Sequence, residues 1–349
     1  MARPTSTKHV ARPLGRPRAI RFGGRPAVAR TLACGKPPPG QLITRMTRLC
    51  HTLVGMPGFS GPVEGREVIT RDGAKLATWV VGPPNGAPVL LASGGGADHR
   101  GWRSLLPELC ESEAEQTLWS PKGRSLAAHC RVAVFDQRGT GASVHETPAA
   151  SAKLMGSDIM TVIRAVLGEP CTVVGHSMGG MAALHAVLDC PNSVSALGLV
   201  ATTAGGSGLT WPSDSYLTLA ATDPDLTDPS QVRSDLEFAV SPAFRVDRPG
   251  LYEACVDYAI TQPRAGDSDA LAQVFLTHDV ADRLGEISIP TVVICGTEDQ
   301  IHPLSNSTFL ADHIPASRLV VVEGAGHLLN AEIPELLIHE IAHLAGGAR

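Results

Sequence analysis

The sequence has no run of about 18 apolar residues, so nothing in it reads as a membrane span. Its eight cysteines form no Cys-x-x-Cys pair, which removes the usual mark of a zinc ribbon or a dithiol redox site. Reduced, mostly buried thiols are expected instead, with a bridge between Cys110 and Cys130 as the one pairing worth weighing. Aromatic residues make up only 4%, so a core must rest on aliphatic side chains. The first 63 residues hold eleven Lys or Arg and no acid, leaving 18 basic against 34 acidic residues beyond them. An acidic body repels phosphate, which argues against nucleic acid as a partner of the folded part.

Residues 1–63 read as a basic extension rich in Pro, Gly and Arg, without apolar periodicity and without the apolar stretch of about seven residues that a secretory signal needs. A disordered tail, an organelle transit peptide and translated sequence upstream of a start at Met46 or Met56 all fit that composition. The expected location is the cytoplasm. Oligomeric state is not assigned by any pattern here.

What the sequence does contain is regular from residue 64 onward. "REVITRDGAKLATWVVG" is two alternating runs around Asp72-Gly73, a hairpin pattern. The short apolar runs "APVLLAS", "RVAVFD", "CTVVG", "VSALGLVAT", "PTVVICG" and "RLVVVEG" follow, as expected of strands covered on both faces. Helical patterns separate most of them, which predicts a doubly wound, mostly parallel α/β sheet. Residues 111–126 form a polar insertion. Residues 207–287 show helical pattern without a strand, too long for a loop, and are expected to form a helical cap between core segments 64–206 and 288–349.

"CTVVGHSMGGMAALHAVL" places Ser177 between a buried strand and a helix, in the pattern G-x-S-x-G. The chain must turn sharply there, and Gly175 and Gly179 leave room for it. A helix beginning at Met178 aims free N–H groups at the same spot, where negative charge is favoured. The alternative is a serine that merely caps the helix. A serine hydroxyl needs a base and an acid to orient it. Asp299 follows the strand "PTVVICG", and His327 follows the next strand on a glycine-flanked loop, giving the order Ser, Asp, His. Glu298 is the rival acid. "SGGGADHRGW" supplies a glycine-rich loop in which Gly95 is the candidate to donate an N–H beside that of Met178, forming an oxyanion hole. The loop lacks the third glycine of a dinucleotide motif, and no Walker lysine follows.

"SGGGADHRGW", "FDQRGTGAS", "GHSMGG", "GTEDQIHP" and "GAGH" together resemble the α/β-hydrolase fold, in its group of capped serine esterases, lactonases and cofactor-free haloperoxidase-like enzymes. The resemblance spans roughly residues 66 to 345 and implies Ser177 as nucleophile, His327 as base, Asp299 as acid, and Gly95 with Met178 as oxyanion donors. It implies that Asp136 and Arg138 brace the rim; the chemistry expected of the triad and oxyanion donors needs no cofactor or metal. The family's oxyanion loop often begins His-Gly, whereas this one begins Ser93-Gly94. Ser177 excludes the nucleophilic aspartate of the resembling dehalogenases and epoxide hydrolases.

The expected activity is hydrolysis of a small-molecule carboxylic ester or lactone through an acyl-enzyme. Perhydrolase, haloperoxidase or carbon–carbon bond chemistry could use the same triad. The cap aromatics Trp211, Tyr216, Phe238, Phe244, Tyr252 and Tyr258 are expected to line the acyl or alcohol pocket. Two remoter classes are a non-enzymatic binding protein on this fold and a zinc protease suggested by the terminal "HEIAH". In the latter His339 and His343 stand one helical turn apart, but the third ligand position holds Arg349, which cannot ligate zinc.

Overall fold

The computed structural model describes residues 63–346 apart from 147, 149, 169, 223, 224, 226 and 263–267. The basic leader with its candidate starts, Cys34, Cys50 and Arg349 lie outside the described residues. One eight-stranded sheet is formed by β1 (Glu64–Ile69), β2 (Lys75–Val81), β3 (Ala87–Ala92), β4 (Cys130–Phe135), β5 (Cys171–His176), β6 (Val194–Val200), β7 (Thr291–Gly296) and β8 (Ser317–Val322). Its order is β1-β2-β4-β3-β5-β6-β7-β8. The hairpin β1–β2 turns at Gly73, whose φ of 90° suits glycine. Strand β2 pairs antiparallel to β4, and every later pairing is parallel. Parallel strands need crossovers that cover both faces, which is why β5 and β7 are buried at every residue.

The helices are α1 (Glu113–Trp119), α2 (Ala152–Val162), α3 (Met178–Asp189), α4 (Asp214–Ala220), α5 (Pro229–Ala239), α6 (Pro242–Asp247), α7 (Pro249–Thr261), α8 (Ser268–Thr277), α9 (Leu304–His313), α10 (Leu329–Glu332) and α11 (Pro334–Leu344). On one face, Met155 and Ile159 of α2 and Met181 and Leu184 of α3 pack with Leu90, Val173 and Leu197 of the sheet. On the other, Leu337 and Ile341 of α11 join Trp102, Leu105 and Leu106 over Val89, Val134 and Val292. The periodic apolar stripe around "HEIAH" is thus a helix face seated on the sheet.

Helices α4 to α8 occupy the stretch between β6 and β7. Helices α5, α6 and α7 share a core of their own, in which Val232, Leu236, Phe244, Leu251 and Val256 surround Trp119 and Cys110, whereas Val274 of α8 joins the core on one face of the sheet. The polar insertion at 111–126 is therefore partly structural: Ser112 caps α1, and Trp119 at its end is buried in that second core. Arg103 stacks its guanidinium over Trp119 at 4.6 Å.

Cys110, Cys130, Cys171, Cys255 and Cys295 are free and buried, so Cys110 and Cys130 do not bridge. Burial pushes the Cys171 thiol up to about 12, which keeps it protonated and inert.

Candidate active site

A single residue makes the turn from strand to helix. Strand β5 ends at His176 and α3 begins at Met178, and between them Ser177 adopts φ 53° and ψ −121°. For a residue with a Cβ this conformation costs on the order of 1–3 kcal/mol and persists only when the surroundings enforce it. They do so from both sides. Ser177 N donates to Val200 O at 2.9 Å, and Thr202 Oγ1 and Gly180 N donate to Ser177 O at 2.7 and 2.8 Å. A Cβ on Gly179 would lie 2.3 Å from Ala92 O, and one on Gly175 would lie 2.3 Å from Gly179 O, so neither position admits a side chain. Ser177 occupies the N-cap position of α3, yet its side chain makes no capping hydrogen bond. The hydroxyl is left for something other than the helix.

The glycine-rich loop after β3 crosses close beside it. A Cβ on Gly94 would stand 3.4 Å from Ser177 Cβ, and one on Gly95 would stand 3.0 Å from Met178 Cε. The N–H groups of Gly95 and Met178 have no partner among the described residues. With the positive end of the α3 dipole at Met178, this corner suits an oxyanion. Ser93, which opens the loop, ties it to itself by donating its hydroxyl to Asp98 O at 3.2 Å.

His327 and Asp299 meet at the same sheet edge. Asp299 Oδ2 lies 2.8 Å from His327 Nδ1, and Asp299 Oδ1 accepts from Ile301 N and His302 N at 2.9 and 2.7 Å. Burial alone would raise the Asp299 carboxyl, but the charge and hydrogen bond of His327 outweigh it and hold the carboxyl below its ordinary value. An ionised Asp299 fixes the proton of His327 on Nδ1 and leaves Nε2 as the basic nitrogen. Glu298 is exposed, by contrast. No hydrogen bond joins Ser177 to His327 among the described residues; their link is His176, next to the serine, whose ring centroid lies 4.8 Å from that of His327. Burial, then the proximity of His327, lowers His176 to about 3, so its neutral Nε2–H donates to His327 O at 2.9 Å.

Sequence reasoning gave His176 no role, and it missed how the inserted helices hold the site. His327 N and Leu328 N both donate to Ala239 O, the last carbonyl of α5, at 2.9 and 2.8 Å. Glu332 Oε1 accepts from Ser241 N at 3.1 Å and from Gly326 N at 3.0 Å, bridging the insertion to the loop before His327. Tyr258 of α7 places its hydroxyl 3.2 Å from both the N–H and Oδ1 of Asp98, beyond the glycine loop. The expected aromatic lining divides accordingly. Phe244 and Tyr252 belong to the insertion's own core and Tyr258 is a tie, while Tyr216 packs on Phe238 at 5.7 Å and Trp211 on Phe275 at 5.9 Å.

Among the described residues, one group of three ligand-type side chains lies close enough to share an ion: Asp98, His99 and Asp136. Their atoms are already engaged. Asp136 Oδ1 pairs with His99 Nδ1 and N at 2.8 Å, its Oδ2 accepts from Ala142 N at 2.7 Å, and Asp98 is bound by Arg100 and Tyr258. These residues are tied to one another and to the neighbouring loops, and Arg138 pairs separately with Asp158 and Asp72. On α11, Glu340 is paired with Arg318, and exposed His339 and His343 stack 6.4 Å apart with no third ligand-type side chain gathered on them among the described residues.

This architecture has relatives. A 3-oxoadipate enol-lactonase of Acinetobacter baylyi is 25% identical over 273 residues, covering 78% of this chain and 93% of the relative. RutD of Variovorax paradoxus, named as a carbamate hydrolase, is 30% identical over 252 residues, covering 71% of this chain and 87% of the relative. The crystal structure of an esterase from a Rhodococcus species superposes with a TM-score of 0.67 at 19% identity, covering 81% of this chain and 98% of that one. The sequence profile of the alpha/beta hydrolase fold matches residues 87–334. A match over that much of the chain, on a sheet with this order, makes the protein a member of the α/β-hydrolase fold family and a hydrolase.

Proposed function

We propose that the protein cleaves a small-molecule carboxylic ester or lactone through an acyl-enzyme on Ser177. The observation that carries this reading is the strained Ser177, held at φ 53° with its hydroxyl unused by the helix, at the sheet edge where Asp299 and His327 share a hydrogen bond. In the reaction His327 Nε2 takes the proton from Ser177 Oγ as that oxygen attacks the carbonyl carbon. The carbonyl oxygen becomes an oxyanion, facing the N–H groups of Gly95 and Met178. Collapse of the tetrahedral intermediate breaks the bond to the leaving oxygen, which receives the proton from His327. Water, deprotonated by the same nitrogen, then attacks the acyl carbon, and Ser177 recovers its proton as the acid leaves. Asp299 keeps the imidazole in the useful tautomer and stabilises the imidazolium.

Residues 207–287 act in this reading as a cap over the strand ends, with small acyl compounds as substrates. The enol-lactonase relative supports lactones as a class to test. Labelling with an organophosphonate is the direct experiment. One adduct on Ser177, absent in Ser177→Ala and accompanied by loss of esterase or lactonase turnover, is expected; an adduct elsewhere, or turnover that survives Ser177→Ala, would overturn the reading.

A further inference from the structure

His302 ends the loop that begins at Asp299, and its ring is turned in among other rings. The residue is 2% exposed, yet Nδ1 has no hydrogen-bond partner among the described residues. Its centroid lies 5.4 Å from that of His327 and 5.9 Å from that of Phe275 in α8. Phe275 in turn meets Trp211 at 5.9 Å, and Trp211 is 52% exposed. A wall of rings therefore leads from His327 outward to solvent, and His302 brings to its inner end a polar atom that the protein leaves unbonded. Buried polar atoms are normally satisfied, and one left open beside a reaction centre is accounted for if a ligand supplies the partner. Burial and the nearby His327 hold the imidazole down at about 3. At neutral pH it offers one N–H and one lone pair, with no positive charge to offset the desolvation of a carboxylate.

We propose that His302 is a specificity-determining residue, hydrogen-bonding an uncharged hydroxyl or keto oxygen of the substrate while Phe275 and Trp211 take its apolar remainder. The inference rests on the serine-hydrolase reading above and narrows its substrates to oxygenated esters and lactones.

The test compares p-nitrophenyl butanoate with its 2-hydroxy, 3-hydroxy and 3-oxo derivatives, rates being normalised to Ser177 sites titrated with an organophosphonate. The wild type should favour at least one oxygenated ester by about tenfold in kcat/KM, the effect of one buried hydrogen bond. His302→Leu should erase that preference, lowering kcat/KM for the favoured oxygenated ester about tenfold more than for the butanoate, while His302→Asn, which keeps a donor and an acceptor, should retain part of it. Equal losses on all four esters, or none, would overturn the proposal. Should His302→Leu not fold, the absence of any preference in the wild type would overturn it as surely. If Ser177 in the wild type is not labelled, the hydrolase reading fails and takes this inference with it; labelling without selectivity removes the inference alone.

Discussion

Asp299 and His327 are joined by a 2.8 Å hydrogen bond between Oδ2 and Nδ1, while two backbone N–H groups occupy the other carboxylate oxygen. The arrangement holds the carboxylate from both ends, so the imidazole has one orientation to adopt. Adjacent Glu298 anchors its N–H to Ala325 O at 2.9 Å and leaves its side chain exposed. Asp299→Asn should therefore lower kcat by on the order of 10⁴, by analogy with the serine-protease triad, because the amide favours the wrong tautomer. Glu298→Gln should change kcat by less than about twofold, as a solvated side chain away from the reacting atoms would. Steady-state kinetics on one activated ester checks both, and the reverse pattern would reassign the acid.

The close approach of Gly179 to the β3 strand end gives a prediction about stability. An alanine Cβ would fall 2.3 Å from Ala92 O and 2.5 Å from Ser93 O, backbone atoms that cannot swing aside. Gly179→Ala should cost roughly 3 kcal/mol or more, at the upper end of overpacking effects, and should disturb the proposed oxyanion corner as well. Gly285→Ala is the control, since nothing lies within 4 Å of its would-be Cβ. Urea denaturation of the two variants should separate them clearly; equal midpoints would contradict the packing described.

Three buried histidines, His176, His278 and His302, and the half-buried His185 make stability depend on pH. Burial, first among the causes, lowers His176 and His302 to about 3 and His185 and His278 to about 4, from an ordinary value of 6.5. The unfolded chain takes up their protons near pH 6.5, and the folded chain does not until far lower. Between these limits the unfolded state binds more protons, so stability falls as pH falls, by about 1.4 kcal/mol per pH unit for each such histidine. Asp299, whose carboxyl is depressed on folding, adds a loss in the same direction at still lower pH. Melting temperature should decline from about pH 6.5 to 4.5, and His302→Leu should flatten the decline by about one proton's worth. A melting temperature flat over that range would show that these rings are not held neutral.

The sheet was legible because each strand is a local pattern. "CTVVG" and "PTVVICG" announce burial on both faces in a handful of residues, and the turn at Ser177 is written in five. The strand-end positions of Asp299 and His327 followed from the same patterns. What was not legible depends on pairs far apart in the chain. Nothing near Ala239 marks its carbonyl as the acceptor for the N–H groups of His327 and Leu328. The aromatics of the insertion look alike in sequence, yet Phe244 is core, Tyr258 is a tie and Trp211 is half exposed, because their partners lie in Val232, Asp98 and Phe275. His302 was passed over for the same reason: in "TEDQIHP" it is one residue of a loop, and its significance comes from the rings around it.

The bridge through Glu332 separates positioning from chemistry. Its Oε1 is the shared acceptor for Ser241 N and Gly326 N, so the insertion and the loop bearing His327 are fixed to one atom. Glu332→Gln preserves that oxygen and should keep kcat within about threefold. Glu332→Leu leaves two N–H groups unpaired at a buried site, each costing about 1–3 kcal/mol. Relaxation of the loop would relieve that cost by letting His327 move, and a displacement of about 1 Å at the base of the proposed triad is enough to lower turnover roughly 100-fold. Because Glu332 touches neither Ser177 nor Asp299 by any hydrogen bond, the loss should appear in kcat more than in KM, and Ser177 should still be labelled by an organophosphonate, only more slowly. Recovery of kcat in Glu332→Gln but not in Glu332→Leu distinguishes a hydrogen-bonded strut from a catalytic acid, since a true acid would be lost in both.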